Sequence, residues 1–139
     1  MAVLPDPCLR LFVPGSLILN LLIAGPVILV LPFCMEKGFA VESYGYLSAV
    51  ITAASLTAVL LLGIVKFSPK SRYRIMALGF FLAEVLFLAT YLSNQFIPMS
   101  ILAFAAVFFN SAANAVLSAS LMLALPEENR GAILGFIEA

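Results

Sequence analysis

Glu84 sits in the middle of an apolar run, GFFLAEVLFLAT, at residues 79–90. A carboxyl group in such surroundings has two courses: it stays protonated, or it loads and releases a proton. At helical spacing its neighbours are Ala77, Phe80, Phe81, Phe87, Leu88 and Tyr91, which supply neither a base nor a cation. Both a proton-coupling Glu84 and a protonated, structural Glu84 fit these residues. A second polar group lies in FFNSAANAVLSAS, residues 108–120, where Asn110, Asn114 and Ser118 recur every four positions. That spacing makes one stripe on a helix, with a parallel row of small residues, Ser111, Ala115 and Ala119, beside it. An amide-lined path for a substrate and a hydrogen-bonded seam between helices both fit the stripe. Upstream, Ser16, Asn20 and Ala24 share a face, and Gly25-Pro26 follows at once. Pro26 has no N–H to donate and crowds the preceding turn, which permits a kink. A kinked packing helix and a flexing, cavity-lining helix both fit. Tyr44, Ser48, Thr52 and Ser55, alongside Ala49 and Ala53, repeat the theme, with helix packing as the simpler reading.

Other chemistries find no residues. The chain has no His, and it shows no Gly-rich phosphate loop, nucleophile elbow or metal-ligand spacing. No enzyme activity, metal or cofactor is therefore expected. Cys8 and Cys34 stand at opposite ends of the first apolar run, on the order of 40 Å apart along a helix. They read as inert apolar side chains. The net charge is zero, and no basic patch with interleaved aromatics suggests nucleic acid.

The elements that carry these residues follow from composition. Of 139 residues, 64% are hydrophobic and 10% charged, with a mean hydropathy of +1.17. Soluble domains are roughly 45–50% apolar and about 25% charged. A soluble fold could not cover this much apolar surface, so lipid must serve as solvent. The chain reads as an all-α, multi-pass membrane protein. Four runs are long enough to cross about 30 Å of hydrocarbon: 11–35, 44–65, 75–93 and 97–125. Residues 132–139 look like the stub of a fifth. Isolated strands would leave edge amides unpaired in lipid, so the spans are helices. The first run is too long for a cleaved signal, and Asp6 stands where a basic region belongs.

The loops orient the bundle. KFSPKSRYR, between spans two and three, carries Lys66, Lys70, Arg72 and Arg74 with no acid. Arg10 precedes span one and Arg130 follows span four. With the N-terminus in the cytoplasm, those six of the seven basic residues lie inside and Lys37 alone outside. The positive-inside rule therefore predicts a cytoplasmic N-terminus in the inner, or plasma, membrane.

The stretch VILVLPFCMEKGFAVESYGYLSAV, with Leu31-Pro32 closing one helix and Tyr44-Gly45 opening the next, resembles the major facilitator superfamily, in its branch of bacterial exporters. LPEENRGAILGF, with Pro126, Glu127, Arg130, Gly131 and Gly135, is similar to that family's loop before a fifth or eleventh helix. The resemblance covers nearly all of residues 9–139. One loop departs from the pattern. The family's Gly-x-x-x-Asp-Arg-x-Gly-Arg-Arg aligns from Gly63, but Phe67 replaces the Asp and Lys70 the Gly, and only Arg72 falls in step. Such a degenerate loop is common in the family's second half, so the resemblance implies helices seven to ten of a twelve-helix carrier and the start of an eleventh. The family binds substrate at the midplane between its halves, with spans one and four lining the cavity. That implies cavity roles for Asn20, Gly25, Pro26, Asn110, Asn114 and Ser118, and a peripheral place for the span bearing Glu84.

Three functions follow from this reading. The first is part of a secondary-active carrier for small molecules, with proton-coupled export, whose remaining helices are supplied by a parent transporter. The second is a self-contained four-helix transporter working as a homodimer. The third is a membrane subunit that transports nothing. The implied partners are the lipid bilayer, a small-molecule substrate, and either the remaining helices or a second copy.

Overall fold

A computed structural model describes Val30 and residues 32–64 and 69–124. Of these, Cys34–Ala124 forms one compact unit, whose architecture follows. It contains three long helices: α1, Val41–Ile64; α2, Pro69–Leu92; and α3, Phe96–Ala124. Each is long and apolar enough to cross a membrane. They correspond to the expected spans at 44–65, 75–93 and 97–125. Span one falls outside the described residues except at its end, where residues 32–36 are helical. Cys8, Arg10, Asn20, Gly25, Pro26, Lys66, Arg130 and the stub at 132–139 also fall outside them.

One expectation needs correction. Lys70, Arg72 and Arg74 do not lie in a loop: α2 begins at Pro69, and all three occupy its first two turns. The apolar run marks only the part of a helix that crosses hydrocarbon, whereas Pro69 pre-sets the backbone angle for a first helical turn. The helix therefore starts six residues before the apolar run at Ile75, among residues that must remain in water. Pro98 is tolerated inside α3 for a related reason. It falls in the first turn, where a backbone N–H has no intrahelical acceptor to lose.

The central helix is α3, which packs against both α1 and α2. Small side chains set the spacing of these contacts. Ala54 and Ala58 of α1, Ala83 of α2, and Ala103, Ala106 and Ala113 of α3 are all buried. With only lipid as competitor, close approach of backbones is the main source of attraction. One close approach lies between α2 and α3. A Cβ built on Gly79 would stand 3.0 Å from Ala113 Cβ and 3.3 Å from the Phe109 carbonyl oxygen. Between α1 and α3 one contact is polar: Ser111 Oγ donates to Ser55 Oγ at 3.1 Å.

The small rows read from sequence pack only in part: Ser111 meets Ser55 of α1. Ala49 and Ala53 are exposed, as is Ala119, while Ala54 and Ala58 are covered. An alanine is comfortable against lipid or against a helix, so its size alone does not say which face turns inward. Few residues of each spanning stretch are fully buried: 17%, 17% and 28% of the most apolar stretch of α1, α2 and α3.

A cap and a clamp join one end of the unit. Gly38 adopts a φ of +76°, which only glycine takes without strain. Its N–H donates to Met35 O at 2.9 Å and the Phe39 N–H to Cys34 O at 3.0 Å. These two bonds are the Schellman motif that closes a helix C-terminus. The turn aims Lys37 at the end of α2. Its Nζ donates to Tyr91 O at 2.7 Å, to Ser93 O and to Asn94 Oδ1 at 3.2 Å. Phe39 packs edge-on against Phe96 beside it, ring centres 5.6 Å apart. A cation here meets the last carbonyls and the negative end of the α2 dipole. Lys37→Met keeps the stem and loses the charge. It is expected to lower the melting temperature in detergent, by an amount equivalent to roughly 1–2 kcal/mol. An unchanged melting temperature would mean that water serves those carbonyls equally well.

Candidate functional site

The polar stripe of α3 gains definition from the packing around it. Ser111 faces α1 through Ser55, and Ala113 faces α2 at Gly79. At about 100° per residue, Asn110, Asn114 and Ser118 fall in the arc between those two contacts. The same arc holds Met99, Ala103, Ala106 and Val107, all buried. It is thus sealed near the Lys37 clamp. Farther along α3 it opens: Asn110 is half-buried, and Asn114 and Ser118 are exposed.

The amides are tied to one another. Asn114 Nδ2 donates to Asn110 O at 3.0 Å and to Asn110 Oδ1 at 3.2 Å. Neither makes a hydrogen bond to another helix among the described residues. The bond between helices comes instead from the small row beside them, through Ser111. The arrangement leaves the Asn114 carbonyl oxygen and the Asn110 amide hydrogens available. It thus offers one acceptor and one donor at an open face, and no charge.

The hydroxyls of α1 offer less. Thr52 Oγ1 donates to Ser48 O at 2.9 Å, and Thr57 Oγ1 to Ala53 O at 2.7 Å. Each is spent within its own helix, as hydroxyls in apolar surroundings commonly are. A shallow groove between α1 and α3, lined by Val50, Ser100, Ile101 and Phe104, is apolar in effect. The Ser100 hydroxyl donates to Phe96 O at 2.9 Å.

Glu84 does not join the stripe. Gly79 marks the side of α2 that faces α3, and Glu84 lies roughly 140° round the helix from it. The side chain is exposed, on the side of α2 away from the amides. Arg72 is half-buried and Arg74 exposed, on the first turns of the same helix.

Two features of the unit escape a search for polar stripes. One is the Lys37 clamp, whose signal was present in MEKG: a basic residue followed by Gly at a helix end. The other is the close contact at Gly79, which sits four residues before Ala83 in the small-xxx-small spacing of membrane helix pairs. Comparison of the chain with protein-family models, with curated proteins and with solved structures finds no match.

Proposed function

We propose that the chain forms part of a transmembrane carrier of the major facilitator type, exporting small amphipathic molecules in exchange for protons. The observation that carries this reading is the open arc of α3 at Asn110, Asn114 and Ser118. A pair of amides that, among the described residues, bond only to each other is expensive to keep at membrane depth unless it serves water or a substrate. The sealing of the same arc at Met99, Ala103 and Ala106 supports a path closed at one end. Resemblance in the loops after spans one and four supports the family. An uncharged donor–acceptor pair suits a substrate that presents both a hydrogen-bond donor and an acceptor.

The test uses the host cell. Cells lacking the chain are expected to retain a fluorescent amphipathic dye that cells carrying it expel, and a protonophore is expected to abolish the difference. Equal retention in both strains overturns the reading.

The proposed orientation puts the Lys37 clamp and the 93–95 turn outside the inner membrane and the start of α2 in the cytoplasm. In a chain without Cys8 and Cys34, Gln95→Cys is expected to react with an impermeant maleimide on intact cells. Tyr73→Cys is expected to react only after permeabilisation. The opposite pattern would invert the topology.

A further inference from the structure

The outward face of α2 carries a group that its surroundings do not explain. Ala77, Phe81, Glu84 and Leu88 are all exposed, Phe81 by 66% and Leu88 by 62%. They are spaced four, three and four residues apart, the spacing of a helix–helix seam. Among the described residues, Glu84 has no hydrogen-bond or ion-pair partner. Where α2 spans the bilayer, an exposed carboxyl at this depth has no water to serve it, and one left bare is costly.

We propose that this seam is a self-association surface, on which a second copy of the chain seats its own α2 so that Glu84 meets Glu84. The chemistry of the group selects the occupant. All seven basic residues lie outside the apolar core of the spans, so a second copy brings no cation to this depth. It does bring its own Glu84. Two copies inserted in the same direction and related by a twofold axis along the membrane normal hold identical residues at identical depth. A protonated carboxyl both donates and accepts, so it is its own complement, and two of them close a pair of O–H···O bonds. A single polar seam residue of this kind fixes register as well as partner. The adjacent Phe81 and Leu88 supply apolar contact on either side. The inference requires only that α2 spans the bilayer, and it stands apart from the carrier reading.

The full chain is tested in lipid vesicles, with Cys8 and Cys34 replaced by Ala. Phe81→Cys and Leu88→Cys, introduced singly, are expected to cross-link on oxidation to a species of twice 14.9 kDa. Leu60→Cys, on an exposed face of α1, is expected to remain monomeric. Energy transfer between labelled copies, followed as lipid is added, then measures association. Glu84→Gln retains a group that donates and accepts, and is expected to associate as the parent does. Glu84→Leu is expected to weaken association roughly 3- to 20-fold, the range that hydrogen bonds between membrane helices span. Leu is better solvated by lipid than Glu, so a weakened Glu84→Leu chain keeps its helices, which circular dichroism checks. Absence of cross-linking at both positions would overturn the proposal. So would undiminished association of the Glu84→Leu chain, or cross-linking in native membranes only to a different protein.

Discussion

Gly79→Leu is expected to prevent the unit from assembling as it does in the parent chain. The position has no room. A Cβ there already stands 3.0 Å from Ala113 Cβ and 3.3 Å from the Phe109 carbonyl oxygen. Neither neighbour is the far end of a flexible side chain that could swing away. A leucine adds three more carbons, which can be housed only by moving α2 off α3. Overpacking of this kind costs about 1–3 kcal/mol in well-packed interiors. Here it also separates the backbones whose close approach supplies the attraction between the helices. The expected result is a fall in protein level in the membrane and a lower melting temperature for what remains. The milder Gly79→Ala gives a sharper check. It should lose stability alone and recover part of it with Ala113→Gly, which removes the 3.0 Å contact but leaves the Phe109 carbonyl in place. Simple additivity of the two substitutions would mean that the residues are not coupled.

That contact also shows where the sequence ceases to be legible. Length and hydropathy place α1, α2 and α3 because lipid imposes a minimum apolar length and forbids unpaired amides. They misplace the start of α2, because Pro69 begins a helix in water where no apolar run announces it. Which face packs is less legible still. In a soluble protein, water excludes large apolar residues from the outside, and the buried face can be read directly. In lipid, Phe81 or Leu60 outside costs nothing, so Ala49 and Ala53 look as eligible for packing as Ala54 and Ala58. Only the assembled helices distinguish them.

The polar residues divide along the same line. The spacing of Asn110, Asn114 and Ser118 predicts one stripe on one helix, since that depends only on helical geometry, and the stripe is where it should be. What the amides bond to depends on neighbouring helices, and spacing is silent there. Glu84 was conspicuous by charge, yet its direction relative to the amides follows from Gly79, a residue with no side chain to notice. Lys37, the exception in the charge count, finds its explanation in three acceptors at the end of α2, more than fifty residues away in sequence.

Asn114→Leu is expected to slow transport by roughly 2- to 13-fold, or to redirect it, while leaving the protein as stable as before. The argument rests on the hydrogen bonds the side chain makes. Its Nδ2 donates only to Asn110 O and Oδ1, within its own helix, so removing it breaks no bond between the described helices. The Asn110 carbonyl remains available to the backbone of α3, and Leu at an exposed position near lipid depth is not penalised. If the open arc conducts substrate, the lost acceptor is felt in transport alone. A hydrogen bond to a neutral partner at a water-poor site is worth about 0.5–1.5 kcal/mol, or roughly a 2- to 13-fold loss in rate at low substrate concentration. Asn110→Leu should behave differently. It is half-buried and next to Phe109, whose carbonyl oxygen meets Gly79 at the tight contact, so both transport and melting temperature should fall. Measuring both quantities on both variants, at matched membrane levels, separates a substrate path from a helix seam. A drop in melting temperature for Asn114→Leu, with transport per molecule unchanged, would place the pair in the seam and remove the observation on which the carrier reading rests.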